Sequence, residues 1–354
     1  MGDQFLLVYF HPLNFIRFVL AVSVILFHYG VAYYPFNQPF LKILIVHSSF
    51  RVSFFFFISG FVMCMVYAKQ IPGLTAKYFY RRRFTRIFPL YWLAFVWTLL
   101  VVIFIKDASP KGLNIILHAL GLQSLNPGHV LDLNYPTWSI SVELIFYLVF
   151  PFLLKWMMKF SFKKLMTITF IIWFLQSLQH ILFVKYVYNG TKVSEEFVSS
   201  FPLWHLSTFF VGMSAARFIS LNTKERFIIK YAKVFFVLAL LIFAYIIFIP
   251  NPLLTYVHNG LLSPVFMLLI VALYYDRSVI HSVLSYKHIS DLGNLSYGLF
   301  IFQYPVWVVC AKIAGENFVV SSWFFLLYFL ILLAVAKTVN IIFEKPVLKW
   351  LRKE

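Results

Sequence analysis

Residues 15–30 read FIRFVLAVSVILFHYG, an apolar run with a cation, Arg17, near its start and an imidazole, His28, near its end. An ionisable side chain inside hydrocarbon costs roughly 2.5–3.5 kcal/mol on insertion scales, so each demands a partner or a task. Arg17 and His28 are eleven residues apart. At 100° per residue that is three turns plus about 20°, which places both on one helical face about 16.5 Å apart.

The rest of the chain is of the same kind. Its 354 residues are 62% hydrophobic, 21% aromatic and only 12% charged, with a mean hydropathy of +0.86. Soluble globules carry about 25% charge, so the composition excludes one and reads as an all-α, polytopic integral membrane helix bundle. A formal charge of +18 raises nucleic acid as a partner. Nucleic-acid binding, however, calls for cations clustered on a soluble face, and here they sit between long apolar runs, where Lys and Arg set topology. Cys64 and Cys310 fall inside apolar runs and read as packing residues rather than a disulfide or a metal site. The opening MGDQFLLVYFHPLNFIR lacks a basic leader and a small-residue cleavage site, so the first helix is expected to be retained. No repeat, linker or appended soluble domain is evident, and residues 1–354 read as one membrane domain.

Runs long enough to cross hydrocarbon fall near 13–34, 46–68, 87–106, 137–154, 165–184, 204–221, 234–250, 260–276, 290–313 and 322–343. With both termini inside, 23 of the 30 Lys and Arg residues lie on the cytoplasmic side, leaving Lys42, Arg51, Lys106, Lys111, Lys185, Lys192 and Lys312 outside. The positive-inside rule favours this N-in, C-in orientation. The longest outer connections are 107–136 and 185–203, and the first contains an amphipathic piece, NIILHALGLQSL. That piece is expected to lie along the interface, as a shield for the bundle or as a lid.

Glu143 is the one acid well inside a span, in PTWSISVELIFYLVFP. Ser139, Glu143 and Tyr147 are spaced at i, i+4 and i+8 and share a face, while Pro136 and Thr137 suit a helix start. His28 and Glu143 each fall about six residues from the outer end of their spans, about 9 Å deep. Equal depth makes them candidates for a carboxylate that supports an imidazole base, or else two separately satisfied interior residues. Arg17 reads as a snorkelling anchor or as part of an anion site. In YRRRFTRIFP, four arginines (Arg81, Arg82, Arg83, Arg86) occur within six residues. They suit bidentate phosphate binding or anionic lipid headgroups. Ser59 and Gly60 lie amid aromatics and allow close helix packing or a slender ligand. Arg51, near the outer end of its span, suits an acceptor or a headgroup.

Together these stretches resemble the type 3 membrane acyltransferases, which O-acylate surface and cell-envelope glycans and a few small acceptors. LNFIRFVLAVSVILFH resembles the family's first helix, SFFFFISGF its Ser-Gly-Phe motif, and RRRFTRIFPLYW its Arg-x-x-Arg stretch through Arg83 and Arg86. TWSISVELIFYLVFP is similar to the Trp-Ser-x-x-x-Glu pattern through Trp138, Ser139 and Glu143, and LGNLSYGLFIFQYPV with EKPV resembles the closing helices. Two positions depart: Gln303 stands where the late motif usually has His, and Asn14 where the family often has Asp.

The resemblance implies an acyl-CoA donor from the cytoplasm, acetyl-CoA by preference, and an acceptor hydroxyl on a glycan or lipid-linked glycan near the outer face, with no metal. It implies a bacterial inner membrane, multi-pass location. It assigns His28 as general base assisted by Glu143, with an acyl-histidine relay left open. Arg17, Ser59, Gly60, Arg83 and Arg86 are assigned to the donor, and Arg51, Trp138 and Ser139 to the acceptor. The competing reading is a transporter or flippase of a lipid-linked glycan, in which the same ionisable residues line a pathway.

Overall fold

The computed structural model describes residues 11–221, 226–249, 259–275 and 286–351. Two of the basic connections, at 222–225 and 276–285, lie outside the described residues. No strand occurs among the described residues. The protein is an all-α membrane bundle. Ten helices match the ten apolar runs: α1 His11–Ile25, α2 Arg51–Tyr67, α3 Ala76–Phe104, α4 Trp138–Met157, α5 Phe162–Tyr186, α6 Leu206–Leu221, α7 Arg226–Phe248, α8 Ser263–Tyr275, α9 Ser296–Val319 and α10 Ser322–Val339. Eight of these, with their flanking turns, are long and apolar enough to cross a membrane. The exceptions are α6 and α8, of 16 and 13 residues.

Helix α6 is short because it is a core element. Its residues Ser207 to Ala216 are all buried, so it meets protein on every side. The contact with α2 explains how two helices rich in Phe approach so closely. A Cβ on Gly60 would stand 2.0 Å from the Phe209 carbonyl oxygen, and one on Gly212 would stand 2.1 Å from that of Phe57. Each glycine thus admits the other helix's backbone, the small-residue crossing by which membrane helices gain packing without a hydrophobic drive. Helices α1, α4, α5 and α8 pack on this pair and α3 and α9 reach α2 through ring contacts, while α5 keeps an outer face with Phe170, Phe174 and Leu178 exposed.

Four local features set the site. Helix α1 ends in a π-helical turn, Leu26–Gly30. Such a turn inserts a residue into the helical ladder and re-aims the side chains it carries. Helix α4 is entered through a tight turn at Tyr135–Thr137, whose Pro136 needs no amide donor there. A second π-helical turn, Asn340–Glu344, follows α10 and leads into a last helix, Lys345–Leu351. Finally, the helix Gly112–Leu120 turns its polar side inward. Its Asn114 and His118 are buried while Leu113, Ile116 and Leu120 are exposed, and Gly121 beyond it meets Leu144 and Tyr91, within α4 and α3. The segment packs on α3 and α4. Its backbone groups find partners there, as buried backbone requires: Trp92 Nε1 donates to the Ala119 carbonyl and the Ser124 amide donates to Ser141 Oγ.

The two long connections at the end opposite the arginine cluster are stapled together. Glu196, 2% exposed, accepts from the amides of Gly128 and Val130 at 2.8 and 3.0 Å, and Lys192 Nζ reaches Asp132 at 2.8 Å. Burial would raise the Asp132 carboxyl, but hydrogen bonds from Lys192 and His129 outweigh it and hold the carboxyl below its ordinary value.

Candidate functional site

Two layers converge on the axis between α1, α2, α4 and α9. The layer nearer the arginine cluster is a cavity of about 140 Å³. Arg17 from α1, Ser59 from α2, Arg83 from α3, Ser139, Glu143 and Tyr147 from α4, and Ser296 and Tyr297 from α9 line it. Five of the ten residues singled out from the sequence therefore share one space.

Glu143 is held by hydroxyls. Ser59 Oγ donates to its Oε1 at 2.6 Å, and Tyr147, one turn along the same face, donates to the same oxygen. Two donors on Oε1 orient the carboxylate and stabilise its charge. Arg83 stands over the Tyr147 ring at 5.6 Å and also over Tyr67 and Phe79 at 5.2 and 5.9 Å. Stacking on three rings suits a guanidinium, which is weakly hydrated and planar. Arg17 interacts electrostatically with Glu143, Arg86 and Glu344. Cations and a carboxylate thus balance one another within low dielectric, the condition under which buried charge is tolerated.

The second layer is made of rings. His28, half-buried on the π-helical turn, stands edge-on to Tyr135 at 4.8 Å and to Phe27 at 5.2 Å. Tyr135 continues to Tyr304 at 5.4 Å, and Tyr29 stacks on Trp307 at 4.7 Å. Arg51, 4% exposed, lies over the Phe27 ring at 4.9 Å and donates to the Ile45 carbonyl at 2.7 Å. It is thereby tied to the protein beside the His28 layer.

Several expectations need revision in geometry. No hydrogen bond joins His28 to Glu143 among the described residues. The regular part of α1 ends at Ile25 and its π-helical turn at Gly30, so His28 sits two residues from the end of that helix rather than six. The ring it packs on, Tyr135, precedes Glu143 by eight residues, about 12 Å of rise. Glu143 Oε1 is bonded to Ser59 and Tyr147 instead. Gly60 faces α6 and not the cavity. Arg86 lies outside the cavity lining, 3.2 Å from Glu344. Trp138 packs against Phe56 and His205, and Ser139 donates to the Pro136 carbonyl while lining the cavity.

Gln303, in the family's His position, is fully buried and donates to the Phe300 carbonyl, so its side chain is used within its own helix. Asn14 Nδ2 lies 3.4 Å from Ser290 Oγ. Tyr135, Tyr297 and Glu344 escaped the sequence reading, although the last two stand in its quoted closing motifs. Among the described residues no three His, Cys, Asp or Glu side chains group as metal ligands.

A family model described as an acyltransferase domain matches residues 10–343. The chain belongs to the type 3 acyltransferase family. That match covers the whole run of helices from α1 to α10. A curated relative, the acyltransferase MdmB of Streptomyces mycarofaciens, is 31% identical over 123 residues. That alignment spans 33% of this chain and 31% of MdmB. No solved structure matches.

Proposed function

We propose that this acyltransferase moves an acyl group, acetyl in the first instance, from acyl-CoA to a hydroxyl of a surface or lipid-linked glycan. Its setting in this reading is a bacterial inner membrane, with the whole chain acting as one catalytic unit. The arginine-rich end faces the cytoplasm, as the 23-to-7 partition of Lys and Arg favours. The observation that carries the reading is the cavity: two guanidiniums, Arg17 and Arg83, open into the same space as a hydroxyl-held carboxylate, on the arginine-rich side of His28.

In this reaction the phosphates of the donor stay at the cytoplasmic mouth and the pantetheine arm passes Arg17 and Arg83. The thioester comes to rest between Ser59 and His28. The acceptor hydroxyl enters from the opposite end, past Arg51. His28 takes the hydroxyl proton as the oxygen attacks the thioester carbonyl, and the thiolate leaves with coenzyme A. Glu143 assists through its field rather than through a hydrogen bond to the imidazole.

The test is coenzyme A release by the purified protein in detergent, with and without envelope glycan. It is paired with mass spectrometry of glycans from a strain lacking the gene. Acceptor-dependent release and a missing acyl group are the expected results. Unaltered glycans together with no release would end the reading.

A further inference from the structure

Glu344 is an acid that the reaction above does not use. It closes the π-helical turn Asn340–Glu344 and is only 5% exposed. Both of its oxygens are engaged: Oε1 stands 3.2 Å from Arg86 Nη1, and Oε2 accepts from Asn340 Nδ2 at 2.7 Å. A buried carboxylate needs such partners, and removing one leaves an uncompensated charge. The Arg86 side chain, in contrast, keeps 38% exposure. A guanidinium carries five donors in a planar fork, so contact with one carboxylate oxygen leaves donors for a second anion. Arg17 interacts electrostatically with both members of the pair. The negative charge of Glu344 therefore also eases the approach of Arg17 and Arg86.

We infer that Glu344 is a positioning residue for donor binding: it fixes the Arg86 guanidinium at the arginine-rich mouth so that the exposed part of the fork meets a phosphate of the acyl donor. This rests on the acyl-CoA reading given above. Arg86 is then ordered when the protein folds, and less rotamer freedom is lost when the donor arrives.

The arrangement is tested with Arg86→Gln, Glu344→Gln and the double variant, each purified in detergent and compared for folded yield, kcat and KM for acyl-CoA. Each single change is expected to raise the donor KM about tenfold, the scale of one charge-assisted hydrogen bond, with kcat within about twofold. The double variant should be no worse than Arg86→Gln, because Glu344 acts through Arg86. An unchanged or lowered KM in Glu344→Gln overturns the inference, as do KM effects that multiply in the double variant. Should Glu344→Gln fail to fold, the exchanged pair Arg86→Glu with Glu344→Arg restores the ion pair. Folded protein with a raised donor KM is then expected, and a normal KM overturns the assignment. Turnover by the parent protein and a raised KM in Arg86→Gln, without an effect at Glu344, defeat the inference alone; no turnover by the parent protein defeats the acyl-CoA reading as well.

Discussion

The cavity around Glu143 and the ring-lined layer around His28 occupy one bundle, yet they are made of opposite materials. Around Glu143 the partners are hydroxyls and guanidiniums, whose dipoles and charges are already arranged. Around His28 they are Phe27, Tyr29 and Tyr135. A polar, prearranged space suits the charged approach of a donor, because it replaces water by fixed dipoles. A layer of rings keeps bulk water from an activated thioester and leaves the imidazole as the group able to accept a proton. The difference implies a division of labour under the proposed reaction: binding on one side, proton transfer on the other.

The sharpest way to break that division is His28→Ala. Losing a general base costs about 10²- to 10⁴-fold in rate, and donor affinity should stay near normal because no cavity-lining residue has changed. Acylation assays alongside acyl-CoA binding decide it, and normal transfer by folded protein would remove His28 from the mechanism. Arg83→Gln should do the converse. Donor affinity falls by about 1.5–3 kcal/mol, the scale of a charge-assisted contact, while single-turnover chemistry changes little. Titration of the variant with acyl-CoA checks this; undiminished affinity would return Arg83 to a packing role on its three rings.

A neighbouring pair sharpens the contrast between site and scaffold. Ser59 and Gly60 are adjacent on α2, but Ser59 faces the cavity and Gly60 faces the Phe209 backbone. Gly60→Ala should cost about 1–3 kcal/mol of stability through overpacking, because a carbonyl oxygen cannot yield as a flexible side chain would. Ser59→Ala should leave the fold intact and slow turnover by loosening Glu143. Thermal unfolding in detergent separates the two, and equal melting temperatures would refute the crossing as the reason for the glycine.

This pair also marks how far the sequence can be read. The ten apolar runs were legible because hydrocarbon demands length and apolarity, and both are local properties. Arg17, Ser59, Ser139 and Glu143 were legible for the same reason, since a polar residue within such a run stands out, and Arg83 because four arginines cluster just before one. What escaped depends on contacts across helices. Nothing in SFFFFISGF says that Ser59 turns to α4 while Gly60 turns to α6. The level of His28 depended on where α1 unwinds, and no proline marks its π-helical turn. The packing of Gly112–Leu120 reverses the usual rule: where lipid lies outside and protein inside, the apolar face of an amphipathic helix points outward. Glu344 did not stand out because its partner, Arg86, is more than 250 residues away in the chain.

The smallest expected effect lies at the far end of the molecule, and it tests whether the two layers depend on the stapled connections. Lys192 joins Asp132 at 2.8 Å and Glu196 at 3.7 Å, and its own side chain is 59% exposed. An exposed pair of this kind is worth about 0.2–1 kcal/mol after solvent screening, so Lys192→Ala should lower stability only slightly. The pH dependence has a definite sign. The folded carboxyl of Asp132 is held below its ordinary value, so its contribution is complete above the unfolded carboxylate range. It is lost as pH falls through the depressed folded value, in the acid range below about 4. Thermal stability of the parent protein between neutral pH and that range should therefore decline, and Lys192→Ala should show a shallower decline because the carboxyl has lost its strongest partner. Identical slopes for the two proteins would mean that the staple is formed by Glu196 and the Gly128 and Val130 amides alone, independent of the Lys192 charge.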